Sequence, residues 1–185
     1  MDLPIREDWV NELVEPLRIS VDEVSGDFER VFALGWLPVC RYCLVLTADR
    51  DEAEEVAAET FKRAYEAWTR GRGPSGAPIP WLLTIARRIV IDRTRRGRLV
   101  VWLRILPQDR AASAQDEIDN LEVWIWFQQL CRALPARQRE VLLMRYGLDL
   151  SDQEIGRILG MTAGSARTTI ARALARLRTL PEVSK

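Results

Sequence analysis

Between Ser151 and Leu180 the sequence SDQEIGRILGMTAGSARTTIARALARLRTL admits little besides two short helices joined by a tight turn. Ser151, followed three residues later by Glu154, has the spacing of a capping box, in which the two side chains satisfy each other's free backbone amides. Ile155, Ile158 and Leu159 fall on one helical face, and Gly160 supplies a stop. Thr162 can cap a second helix whose Ala166, Ile170, Leu174 and Leu177 make an inward stripe. Arg167, Arg172, Arg176 and Arg178 are then left outside, four arginines with no acid among them. A scaffold helix, a turn and an arginine-bearing helix are what insertion into a DNA major groove requires. An ordinary amphipathic hairpin with a solvated basic face has the same outline. The agreement of cap, glycine and charge favours DNA.

Charge supports this reading once it is mapped along the chain. The 185 residues carry 27 basic and 27 acidic side chains, a net of zero. Residues 1–59 nevertheless have a net charge of −10, residues 60–110 of +9, residues 111–154 of −4 and residues 155–185 of +5. Two basic blocks separated by acidic ones suggest contact with nucleic acid at two places and with a basic partner elsewhere. All the bases except Lys62 and Lys185 are arginine, the side chain suited to bidentate phosphate and base contacts. No apolar run is expected to span a membrane and no signal-peptide pattern opens the chain, so a cytoplasmic location is expected. Histidine is absent, and the three cysteines are Cys40, Cys43 and the distant Cys131. A tetrahedral metal site wants four ligands from one region, so neither metal nor cofactor is expected. The Cys40–Cys43 pair sits at a helical spacing that allows a redox switch. Small buried residues in an apolar helix explain it more simply.

The rest of the chain reads as all-α, without strand-like alternation or hairpin signals. Trp9, Leu13, Val14, Leu17 and Ile19 mark a short amphipathic segment interrupted by Pro16. Asp27–Leu46 is apolar and helical, with Gly35 and Pro38 expected to kink or divide it. After a turn at 47–49, Asp51–Trp68 is a helix that turns Ala53, Val56, Ala57, Thr60, Phe61, Ala64 and Trp68 inward. The loop GRGPSGAP (71–78) follows, and Pro80 is expected to open a helix from Trp81 to about Arg96. That helix buries Leu82, Ile85, Ala86, Ile89 and Val90 and presents Arg87, Arg88, Asp92, Arg93, Arg95 and Arg96. Residues 107–119 are small and polar, as a flexible linker would be. A last helical block starts near Leu121, breaks at Pro135 and resumes over Arg137–Tyr146. The expected organisation is an N-terminal extension (1–24), a helical domain (25–97), a linker (98–119) and a second helical domain (120–185).

Three blocks together resemble the extracytoplasmic-function group of bacterial RNA polymerase sigma factors. DRDEAEEVAAETFKRAYEAW looks like the helix of region two, and PWLLTIARRIVIDRTRR like the promoter-reading helix. ALPARQREVLLMRYGLDLSDQEIGRILGMTAGSARTTIARALARLR resembles region four almost continuously. The resemblance implies a promoter-specificity subunit with no catalytic residues of its own. Its partners would be core RNA polymerase (the β′ coiled coil and the β flap), promoter DNA and an anti-sigma factor.

By the same resemblance, Asp51, Glu54, Glu55 and Glu59 would contact the β′ coiled coil. Exposed ion pairs contribute only about 0–1 kcal/mol each, so that contact would need a network and apolar support. Arg87, Arg88, Asp92, Arg95 and Arg96 would bind the non-template strand of the −10 element, where bases leave the stack at about a few kcal/mol each. Arg88 stands where the family usually has asparagine, which assigns it to phosphate and moves specificity to the 69–79 loop. Ser165, Arg167, Thr168, Ala171 and Arg172 would face the −35 major groove, with Arg167 and Arg172 placed to read guanine. Arg176 and Arg178 would hold phosphates.

The promoter elements lie one to two duplex turns apart, at about 34–36 Å per turn. A linker of about 20 residues spans roughly 22–27 Å as a coil and about 66–72 Å when extended. It reaches both elements only when held extended on polymerase. The apolar stretch 99–106 departs from the family pattern; either it covers the region-two core, the favoured reading, or it docks on polymerase or an inhibitor. A helix-turn-helix regulator acting without polymerase would explain residues 120–180 but leave the acidic and promoter-reading helices idle. An enzyme acting on nucleic acid has no histidine, phosphate loop or metal-spaced acid cluster to support it.

Overall fold

The computed structural model describes residues 28–47, 49–96 and 133–179. Every regular element among them is helical, as the patterning requires. The chain divides into two compact units. The N-terminal extension, the linker with its apolar stretch 99–106, the start near Leu121 and Cys131 lie outside the described residues.

The first unit is a three-helix bundle: α1 (Phe28–Thr47), α2 (Arg50–Thr69) and α3 (Pro78–Arg95), each packed on the other two. Gly35 and Pro38 do not divide α1, contrary to expectation. Both are buried, and tertiary packing offsets the helix bond that proline removes. At Gly35 the neighbour comes so close that a Cβ would lie 2.7 Å from Leu82 Cδ1. By length and composition α1 could also cross a membrane, with a mean hydropathy of 1.3, which the sequence reading had excluded. Half of that stretch is buried inside the protein, where Val31, Val39, Tyr42, Cys43 and Leu46 form core. The α1–α2 seam is aromatic: Phe32 stacks on Trp36 and meets Phe61 edge-on, and Phe28 does the same with Tyr65 and Trp68.

Local chemistry sets the boundaries of α2 and α3. Asp49 caps α2 by accepting from the Glu52 amide at 3.0 Å, and Thr47 Oγ1 braces the turn on the Asp49 carbonyl at 2.9 Å. The inward residues of α2 are those its periodicity marks, from Ala53 to Ala64. The helix α3 begins at Pro78, two residues before the expected start at Pro80. Proline is tolerated throughout a first turn, whose amides have no partner to lose. Leu83 is buried and Ile85 is half-buried, the reverse of the expected emphasis.

The second unit contains α4 (Ala136–Leu142), a π-helical turn (Leu143–Gly147), α5 (Asp152–Leu159) and α6 (Ala163–Arg178), with α4 packed on α6. The expected helix over Arg137–Tyr146 therefore changes its winding midway. Leu148 N–H bonds the Leu143 carbonyl at 3.1 Å and Leu150 N–H the Met144 carbonyl at 2.9 Å. Arg145 Nη1 closes the same turn on the Leu150 carbonyl at 3.2 Å. Asp149 takes a positive φ of 49°, which aspartate tolerates better than most residues. This turn delivers the chain to Ser151, where the helix-turn-helix begins.

Candidate nucleic-acid and polymerase interfaces

The α5–α6 hairpin is built by its caps. Ser151 N–H bonds Glu154 Oε2 at 2.9 Å, and Glu154 N–H bonds Ser151 Oγ at 3.3 Å, the reciprocal pair of a capping box. Gly160 ends α5 at φ +66°, and Thr162 Oγ1 accepts from the Ser165 amide at 3.1 Å to start α6. The turn is tight because Gly156 has no side chain: a Cβ there would lie 2.7 Å from the Met161 carbonyl oxygen. Ala166, Ile170, Ala173, Leu174 and Leu177 are buried. Ser165, Arg167, Thr168, Ala171, Arg172, Arg176 and Arg178 are all exposed, so every residue of α6 expected to face DNA is accessible. Thr162, Gly164, Ser165, Thr168, Thr169 and Arg172 form a polar concavity on it. Thr168 Oγ1 donates to the Gly164 carbonyl at 2.9 Å, so its hydroxyl is left to accept and its methyl to touch apolar groups. Arg167 Nε is bonded to Asp152 Oδ2 at 3.0 Å, a contact between α6 and the start of α5 that no sequence pattern marked.

On the first unit, Arg88, Arg95 and Arg96 are exposed and Arg87 and Asp92 half-buried. Arg93 departs from this basic face. Only 17% of its side chain is accessible, and it reaches across to α2 to bond Glu52 at 3.3 Å, Glu55 at 3.1 Å and Glu59 at 2.8 Å. Burial is the largest single effect on both partners and opposes charge, but the hydrogen bonds and neighbouring opposite charges together outweigh it. They hold the Glu59 carboxyl below its ordinary range, with Arg63 assisting, and push the Arg93 guanidinium up. Glu55 and Glu59 are thus engaged within the protein, whereas Asp51 is exposed and exposed Glu54 accepts from Arg50 one turn earlier on the same helix, at 2.9 Å. No sequence pattern marks this clasp, because its partners lie 34 to 41 positions apart.

Cys40 and Cys43 lie on α1 one turn apart, as free thiols. Burial, with Glu54 adding to it, pushes Cys40 up to about 12. Burial also pushes Cys43 up, with Cys40 adding and Arg93 opposing. A thiol held protonated is a poor nucleophile, in keeping with a packing role. Among the described residues no group of three or more His, Cys, Asp or Glu side chains is placed to hold a metal.

The first unit is thus a helical bundle bearing an acidic face and an arginine-lined helix, and the second contains a capped helix-turn-helix. Comparison with known proteins gives the family. Residues 38–99 match the family described as Sigma-70 region 2, and residues 125–177 match Sigma-70, region 4. The chain is 31% identical over 147 residues to the ECF RNA polymerase sigma factor SigL of Mycobacterium tuberculosis, covering 77% of this chain and 82% of SigL. It is 29% identical over 157 residues to SigW of Bacillus subtilis, covering 76% and 81%. In fold it is similar to the sigma factor RpoE of Bartonella quintana, solved in complex with the anti-sigma factor NepR. The TM-score is 0.64 at 23% identity, over 86% of this chain and 99% of that one. The protein belongs to the extracytoplasmic-function RNA polymerase sigma factors. Its function is that of the family: to bind core RNA polymerase and direct promoter recognition and transcription initiation.

Proposed function

We propose that the two units divide promoter recognition between them. The α6 surface enters the major groove of the −35 element, where Ser165, Arg167, Thr168, Ala171 and Arg172 face base edges and Arg176 and Arg178 hold phosphates. The α3 helix and the loop before it bind the non-template strand of the −10 element through Arg87, Arg88, Asp92, Arg95 and Arg96. Asp51, Glu54, Glu55 and Glu59 on α2 meet basic groups of core polymerase. The chain contributes no catalytic group; nucleotide transfer belongs to the polymerase. It acts in the cytoplasm, and an anti-sigma factor is a natural further partner, as for its structural neighbour.

The observation that carries this reading is the division of α6 into a buried apolar stripe and an exposed arginine face, with the N-terminus of α5 and of α6 each capped. Such a helix is rigid enough to place side chains against base edges. Replacing Arg167 and Arg172 together by Ala removes two base contacts worth about 1–3 kcal/mol each. Run-off transcription with purified core should then be lost from −35-dependent promoters, while affinity for core stays unchanged. Full transcription by the double variant would refute the assignment of α6 to the groove.

A further inference from the structure

Of the two arginines assigned to base reading, only one is held in place. Arg172 makes no hydrogen bond or ion pair among the described residues. Arg167, although 77% exposed, donates Nε–H to Asp152 Oδ2 at 3.0 Å. Asp152 is 20% exposed and is the first residue of α5, where the helix N-terminus favours a carboxylate. The capping box at this end is made by Ser151 and Glu154, so Asp152 is not needed as a cap. The one bond of its side chain among the described residues is the one to Arg167. With Nε occupied, the rotation of the planar guanidinium is restrained while Nη1 and Nη2 stay unpartnered among the described residues. That pair of donors matches the O6 and N7 acceptors of guanine.

We propose that Asp152 is a specificity-determining residue, a buttress that holds Arg167 as a guanine reader within the −35 element. This rests on the reading of α6 as the groove helix. Asp152 touches no base. Its carboxylate acts through Arg167, and its negative charge lies beside DNA phosphates that it repels. It therefore weakens binding to any duplex while sharpening the choice of one base pair. A held arginine also discriminates better than a free one, so the base pair facing Arg167 shows a steeper preference than the one facing Arg172.

The test uses full-length protein assembled with core polymerase and promoter fragments carrying each of the four bases at every −35 position. Arg167→Ala identifies the base pair concerned by flattening its preference for guanine. Asp152→Ala should reduce that preference by about fivefold or more, at that base pair alone, while affinity for unrelated duplex rises. Asp152→Asn, whose amide oxygen still accepts from Nε–H, should keep most of the preference. A merely structural role for Asp152 would lower specific and non-specific affinity together and leave relative base preferences alone. That result, or an unchanged guanine preference in Asp152→Ala, would overturn the buttress and leave the groove assignment standing. If Arg167→Ala flattens no position, the groove assignment fails and the buttress with it.

Discussion

Gly156 shows how one missing side chain can decide a motif. It sits inside α5, where alanine would favour the helix by roughly 1 kcal/mol. Yet a Cβ there would lie 2.7 Å from the Met161 carbonyl oxygen and 3.3 Å from Ala163 N, both backbone atoms with no rotamer to change. The closeness of the turn between α5 and α6 therefore rests on this position. Gly156→Ala should destabilise the second unit by about 1–3 kcal/mol, the usual cost of overpacking. Chemical denaturation followed by circular dichroism would measure it, and an unchanged midpoint would contradict the contact. Gly160 has a different reason to be glycine: its φ of +66° disfavours any side chain, although the space around it is open. The sequence marked Gly160 as a stop because that signal is local. The demand at Gly156 comes from a backbone five residues away that folds over it, which no periodicity reveals.

Among the elements, α2 and α3 are joined by a charge network whose pH dependence follows from its chemistry. Glu59 is held below its ordinary range by Arg93 and Arg63, against a burial that pushes it up. A carboxyl depressed in the folded state adds stability above its unfolded pKa, and that stability is lost as pH falls through the folded value. Thermal melts of the full chain should show the first unit losing stability on acidification below about pH 4.5. Glu59→Gln should lower the melting temperature at neutral pH and reduce its acid dependence; an equal acid dependence in both proteins would remove Glu59 from the account. These elements were legible to different degrees. The caps of α5 and α6 and the buried stripe of α6 follow from spacing within a few residues and are legible in the sequence, whereas Asp49, the cap of α2, reads there only as part of a turn. The early start of α3 was missed because proline at Pro78 and Pro80 is a breaker in a helix interior but not in a first turn. The π turn at Leu143–Gly147 was missed because its bonds run on to Leu148 and Leu150, which sequence reading had no reason to pair with it.

For the whole molecule, the proposed function gives the acidic and basic blocks of the sequence separate partners. The proposed polymerase contact draws on two kinds of acid, those free to face outward and those already used inside the protein. Reversing the charge of Glu54, whose bond is to exposed Arg50, should weaken binding to core by several-fold with little change in melting temperature. Reversing Glu59 should weaken binding and lower the melting temperature together, because it also breaks the bond to Arg93. Titration of each variant against core, paired with a melt, separates the two. If both bind core like the parent, α2 is not the docking face. The Arg93 clasp has a further consequence, for heredity. Three carboxylates back up one guanidinium, so losing any one of them leaves two in place and the helices still tied. A genetic screen that counts one change at a time would therefore register Glu52, Glu55 and Glu59 each more weakly than Arg93, and the redundancy would understate the tie.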